Sequence, residues 1–179
     1  MAPDEAPLVV RYFTQASPAD IDRMGVDPAK LPDPAAWERS LRATLSNPPP
    51  ASPSAYFTWL VAGEAVGFSS LKDVRVGGSA SQHLHMWSAG HRGQGFGPVL
   101  FCLTALEGYA RFGLRSIACE PKASNPMPNR LLQKAGFPLV RTYEGASSDL
   151  SSVTLLNRYD VRRDVAEAYL RTSGVPVPA

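Results

Sequence analysis

Apolar positions change their period several times along this chain, and the changes divide it into elements. "LVVRYFT" (8–14) is rich in β-branched and aromatic residues and predicts a strand. Ser17 before Pro18, and Asp33 before Pro34, each place a capping side chain ahead of a proline, the grammar of a helix start. After Asp33, the residues Trp37, Leu41 and Leu45 recur every fourth position, so 33–45 predicts an amphipathic helix. "AYFTWLVAG" (55–63) and "AVGFSSLKDV" (65–74) meet at "GE" and predict a hairpin, which "SQHLHMWSA" (81–89) extends into a meander. Val99, Leu103, Leu106 and Ala110 mark a helix that Gly113 ends, and "RSIACEP" (115–121) predicts a short strand.

"NPMPNRLLQKAGF" follows, a helix capped by Asn125, with prolines in its first turn, Lys134 in its last and Gly136 just beyond it. "PLVRTYEG" and "SSVTLLNRYDV" predict two more strands, and "RDVAEAYLRT" a closing helix. The order is therefore β α α β β β α β α β β, closed by that helix. It predicts an α+β fold, a mixed and mostly antiparallel sheet flanked by helices with a strand–loop–helix at its centre.

Composition narrows the picture. A chain of 179 residues with 44% hydrophobic residues is expected to form one domain with a real core. Acids and bases nearly balance at a net charge of +2 and no basic cluster stands out, so nucleic acid is not an expected partner. No apolar run is long enough for a membrane span, and "MAPDEAP" lacks the basic start and apolar run of a signal peptide. Cys102 and Cys119 lie in apolar segments without a CxxC spacing and read as reduced core thiols of a cytoplasmic protein. "NPPPASPS" (47–54) predicts an irregular loop. "SGVPVPA" predicts a frayed tail, so the domain is expected over 1–172 with a flexible 173–179.

The candidate chemistry begins at "HRGQGFGPVLF" (91–101), where Gly93, Gly95 and Gly97 run from a predicted strand into a helix. Such a junction aims free N–H groups past the helix start, where the helix dipole favours an anion, and Arg92 adds positive charge. The nucleoside-triphosphate loop is excluded, because Pro98 follows Gly97 where Lys-Ser/Thr is required. The dinucleotide fingerprint needs its last glycine one place later and a position after the first strand of a parallel sheet. Glu120 does lie where its ribose-binding acid would sit.

"RGQGFG" matches Arg/Gln-x-x-Gly-x-Gly/Ala, the pyrophosphate signature of the GNAT acyltransferases, and "NPMPNRLLQKAGF" lies where that family has its second motif. The chain resembles that family over roughly 8–160, and within it the ribosomal-protein N-terminal acetyltransferases. The resemblance implies transfer of an acetyl or other short acyl group from acyl-coenzyme A to an amine of a small molecule or a protein N-terminus. It implies no metal, and it allows a homodimer. The pyrophosphate would lie on Arg92, Gly93, Gln94, Gly95, Phe96 and Gly97. Pantetheine would enter between the strands 82–88 and 115–121 and meet backbone groups of Met86 and Trp87. Asn125 and Asn129 of the second motif would be further coenzyme contacts.

Two catalytic groups common in that family are missing: Gln82 stands at the usual glutamate base and Leu132 at the usual tyrosine acid. Their absence leaves a non-catalytic acyl-coenzyme A sensing domain as an alternative, and an adenine-dinucleotide enzyme as another. The local candidates are His85, nearer the loop than His83 on the same strand face, as general base, with Glu120 orienting it or binding a cationic acceptor. Cys119 and Tyr143 are weaker proton donors. A zinc site of His83, His85 and His91 lacks a fourth ligand. Phe57, Trp59, Phe68 and Trp87 read as core, and Arg162 and Arg163 as solvated charge. The acceptor pocket is expected between the first two helices, the proline-rich loop and the strands at 139–160.

Overall fold

The expected hairpin forms from β1 (Ala55–Val61) and β2 (Glu64–Lys72), turning through Ala62 and Gly63, both at positive φ. β3 (Ser79–Met86) completes the antiparallel meander, with His85 opposite Phe68 and Met86 opposite Gly67. The computed structural model describes residues 1–178. The chain then forms α4 (Phe96–Phe112), β4 (Ser116–Cys119), α5 (Pro126–Lys134), β5 (Leu139–Gly145), β6 (Thr154–Asp160) and α6 (Arg163–Thr172). The six strands make one sheet in the order β1-β2-β3-β4-β6-β5. Only the β3–β4 pair is parallel, and every other neighbour is antiparallel. A glycine loop after the third strand of a meander is not the first junction of a parallel sheet, so the dinucleotide reading does not hold.

One predicted element is wrong. "LVVRYFT" is not a strand but part of α1 (Ala6–Thr14). Ala6, Val9, Val10 and Phe13 are all buried, and their i, i+3, i+4, i+7 spacing puts them on one helical face. The β-branched composition masked that period, and packing outweighs a propensity of a few tenths of a kcal/mol per residue. The helices α2 (Pro18–Met24) and α3 (Pro34–Ser46) start as predicted, capped by the Ser17 and Asp33 side chains.

The sheet has helices on both faces. Ala6, Val9, Phe13, Leu41 and Phe68 form the smaller core beneath α1 and α3. On the opposite face Phe101, Cys102, Ala105, Ile117, Leu132, Tyr159 and Leu170 form the larger one beneath α4, α5 and α6. The segment predicted to fray is seated here: Val175 and Val177 pack on the larger core, and the Val175 N–H donates to the Leu170 carbonyl at 3.0 Å.

β3 is bent at its end. The N–H groups of Trp87 and Ser88 both donate to the Val66 carbonyl, at 3.1 Å each, so one residue of β2 faces two of the other chain segment. The bend brings the His85 carbonyl against β2. A Cβ at Gly67 would lie 2.3 Å from that oxygen and 3.0 Å from the Met86 Cα. No other residue fits there without moving β3. Gly67→Ala is therefore expected to lower unfolding free energy by about 1–3 kcal/mol, measured by urea denaturation. A variant as stable as the parent would show that β3 does not depend on this contact.

Candidate active site

β3 and β4 pair only at Ser79–Ser116, Ala80–Ile117 and Ser81–Ala118, and then part. Past Ala118 the chain is held from its other side. The chain beyond β4 instead follows β6: the Asn157 N–H donates to the Pro121 carbonyl at 3.0 Å, and the Ala123 N–H to the Leu155 carbonyl at 2.8 Å. A cleft of about 710 Å³ opens in the gap, reaching from Gly93, Gly95 and Gly97 at one end to Glu120 and Lys122 at the other.

The glycine loop forms the outer end of this cleft. Gly93 and Gly95 take φ of +78° and +87°, which bulkier residues reach only with strain, and a Cβ at either would meet nothing within 4 Å. Gly97 differs, because a Cβ there would lie 3.0 Å from the Leu131 Cδ1 of α5. Gly95 is the N-cap of α4, so no side chain satisfies the first N–H groups of this 17-residue helix. They are free to bind an anion, with the helix dipole in its favour. Arg92 turns back from the loop and donates through Nε and Nη2 to the Met86 carbonyl, at 3.2 and 2.8 Å. That guanidinium thus occupies one of the backbone groups expected to meet pantetheine. The other expectation, at Trp87, fails for its N–H, which is spent on Val66. Its indole donates to the Ala65 carbonyl at 2.7 Å and its ring stacks on Phe68.

The second motif divides into two roles. Asn125 caps α5 by accepting from the Met127 N–H at 3.3 Å and also lines the cleft. Asn129 does not line it. Its Nδ2 donates to the carbonyls of Lys122 and Asn125, at 3.0 and 2.6 Å, while its Oδ1 accepts from Asn157 and the Tyr159 hydroxyl, at 2.8 and 3.0 Å. With its amide satisfied by protein on both sides, Asn129 ties α5 to β6. The expectation that it contacts the coenzyme is thereby corrected.

Gln82 is fully buried at the point where the strands part. Its Nε2 donates to the Phe101 carbonyl at 3.0 Å, and its Oε1 has no hydrogen-bond partner among the described residues. Leu132 is entirely within the larger core. Neither can move a proton, as their residue types require.

His83 and His85 share the opposite face of β3, as expected, and both line the cleft. The His85 ring stacks on Phe68 at 4.7 Å and meets the edges of Phe13 and Tyr12 at 5.1 and 5.3 Å. Burial pulls its pKa down to about 3, with the neighbouring His83 adding to the effect, and burial lowers His83 to about 4. His85 is therefore neutral at neutral pH and too weakly basic to be a strong proton acceptor.

Glu120 does not orient His85. Its Oε1 accepts from the Tyr143 hydroxyl and from Arg158 Nη1, both at 2.6 Å, which fixes the carboxylate at the cleft wall. No protein donor lies on its Oε2 among the described residues. The Tyr143 pKa is raised, by burial first and by Glu120 next, so that hydroxyl keeps its proton. Sequence reasoning missed Arg158, which nothing in "TLLNRYD" singles out before β6 is placed beside β4. Cys119 lines the cleft with its thiol pushed far up by burial, and Cys102 is pushed up to about 12. His91 bonds through Nδ1 to the Ser88 hydroxyl at 2.7 Å, and no group of three His, Cys, Asp or Glu side chains among the described residues could hold a metal.

The side of the cleft where an acceptor pocket is expected is walled by α1, α2 and the β5–β6 connection. Lys122 holds α2 through the Asp22 carbonyl at 2.9 Å, and the Asp27 N–H donates to the Leu150 carbonyl at 2.8 Å. The proline-rich loop, expected here, lies elsewhere: its Pro53 carbonyl accepts from Val74 at the far end of β2. Trp59 is core, as read, its indole donating to Thr104 Oγ1 at 3.2 Å.

This arrangement has solved counterparts. The chain superposes on Mycobacterium smegmatis RimJ in complex with CoA-disulfide with a TM-score of 0.74 at 13% identity, covering 97% of this chain and 87% of that one. The fold is that of the GNAT acetyltransferases. A ribosomal-protein-alanine N-acetyltransferase from Brucella melitensis shares this GNAT fold at 15% identity and a TM-score of 0.65, over 89% and 95% of the two chains. So does a spermidine N-acetyltransferase from Vibrio cholerae, at 14% identity and a TM-score of 0.67, over 97% and 96%. No protein-family model and no curated protein matches the sequence. At these identities the likeness is one of fold.

The half-buried histidines make stability depend on pH. Their folded pKa values, about 4 and about 3, lie below the ordinary 6.5, so below pH 6.5 the unfolded chain binds more protons than the native one. Their contribution is fully present above pH 6.5 and is lost as pH falls toward 4. Urea midpoints measured from pH 7 to pH 4 are expected to fall, and less steeply in His85→Phe. Identical slopes in the two proteins would show that His85 titrates normally.

Proposed function

We propose that the protein transfers an acetyl or other short acyl group from acyl-coenzyme A to an amine by direct attack. One observation carries the reading: parted strands lead from a buried apex to an uncapped helix N-terminus behind a glycine loop. The residues fit the donor at three places. The first turn of α4 offers unsatisfied N–H groups to a pyrophosphate. Beyond Ser81 the β3 edge has no strand partner and can take an amide-bearing arm, once Arg92 releases the Met86 carbonyl. Asn125 lines the path. RimJ in complex with CoA-disulfide, on the same fold, supports this choice of donor.

For the acceptor, Glu120 is the stronger candidate for receiving the ammonium and taking its proton. Tyr143 and Arg158 clamp one carboxylate oxygen, and the other is left to the cleft. Asp20, the other carboxylate of the cleft, has Oδ1 on Arg23 and Oδ2 on the Ser17 hydroxyl. Neutral His85 then accepts a hydrogen bond from the amine or a bridging water and orients it, a positioning role rather than a strongly basic one.

Calorimetry with acetyl-coenzyme A, followed by thiol release against a panel of amines, tests the reading. Binding with amine-dependent release is expected, and no binding would overturn it. Binding without release to any amine would instead favour a sensing domain. Glu120→Gln is expected to lower kcat/KM roughly a hundredfold with the coenzyme affinity unchanged. An unimpaired variant would remove Glu120 from the reaction.

A further inference from the structure

The acceptor side of the cleft opens into a second hollow of about 370 Å³ between α1, α2 and the end of β3. The two are continuous, because Tyr12, Asp20, Arg23, Met24 and Arg92 line both. Arg11, Leu8 and Trp87 line only the second. Its charge is one-sided. Arg11, Arg23 and Arg92 face it, against the single carboxylate of Asp20.

That carboxylate is used internally, by Arg23 and Ser17, so it offers nothing to a cation. Arg92 is held only by a neutral carbonyl. Arg11 is exposed and makes no side-chain hydrogen bond or ion pair among the described residues. Arg92 stands beside the glycine loop and goes to the donor on the reading above, which leaves Arg11 as the uncompensated guanidinium beside the apolar surfaces of Leu8 and Trp87, so a ligand there should be anionic and part apolar.

We propose that the acceptor is the N-terminus of an acidic peptide. Its amine lies at Glu120, and the acidic side chains that follow run into the second hollow against Arg11 and Arg23. This rests on the acyl-transfer reading above. A polycationic amine fits poorly, since the same guanidiniums repel every ammonium beyond the one that Glu120 receives. The hollow extends away from the reacting position, which suits a chain continuing from its own amine better than a small molecule held wholly at Glu120. Charges in such a rim act mainly on encounter rate and are weakened by salt.

The test uses the full chain with saturating acetyl-coenzyme A and five acceptors: an acidic N-terminal peptide, its neutral and basic counterparts, free glutamate and spermidine. At low ionic strength kcat/KM is expected to be roughly tenfold higher for the acidic than for the neutral peptide, from several exposed pairs acting together. The basic peptide and spermidine should be poorest, and added salt should level the series. Arg11→Glu should abolish the acidic preference while leaving neutral-peptide turnover and coenzyme binding unchanged. Equal rates for the three peptides, or a preference that Arg11→Glu does not disturb, would overturn the proposal. Glutamate or spermidine outpacing the acidic peptide would overturn it as well. Coenzyme binding with turnover of the neutral peptide marks that failure as one of acceptor choice alone, whereas loss of both would mean that the acyl-transfer reading itself had fallen.

Discussion

The parting of β3 from β4 is the constraint on which the rest of this molecule depends. Two parallel strands that begin to pair at Ser79 and Ser116 would ordinarily continue, since each further residue gains ladder hydrogen bonds. Here they stop after three pairs, and the chain beyond β4 stays with β6 through the Pro121 carbonyl and the Ala123 N–H. On the other side the doubled hydrogen bond to Val66 and the absent side chain of Gly67 draw the end of β3 toward β2. Each strand is pulled toward its antiparallel neighbour, and the cleft is the space left between them.

The polar groups around that gap have separated tasks. Asn129, Asn157, Tyr159 and Gln133 form a satisfied network that joins α5 to β6 and so fixes the chain after β4 as one wall of the cleft. Glu120 stands where that wall begins, steadied by Tyr143 from β5 and Arg158 from β6. A carboxylate directly after β4, where the chain has parted from β3, lines the opening because of its place in the sheet. The aromatic shell of Tyr12, Phe13 and Phe68 sets the opposite condition for His85, shielding its ring on that side and holding the imidazole neutral.

Much of the fold could be read from residue order. Capping residues, prolines in first turns and terminal glycines placed α2, α3, α4 and α5, and the alternation of 55–74 placed the hairpin. The opening segment misled because Val9 and Val10 count toward a strand by type and toward a helix by position. The glycine loop was legible because its positive φ values exclude most other residues, so conformation is written directly as residue type. Asn129 was not legible, because a carboxamide in a motif looks the same whether it faces a ligand or four protein partners. Arg158 was invisible for a similar reason, its meaning resting on a strand distant in the chain.

What the sequence determined by itself is therefore local: which capped segments are helices, where the glycine loop lies, and that Gln82 and Leu132 stand where the family it resembles usually has glutamate and tyrosine. Caps, turns and periodicity are properties of neighbouring residues and need no partner. Tertiary structure alone decided which groups share the cleft, that Glu120 is clamped on one side only, that His85 loses its basicity, and that three arginines meet at a second hollow beside it. Those are matters of distance and water exclusion, set when segments far apart in the chain are packed together.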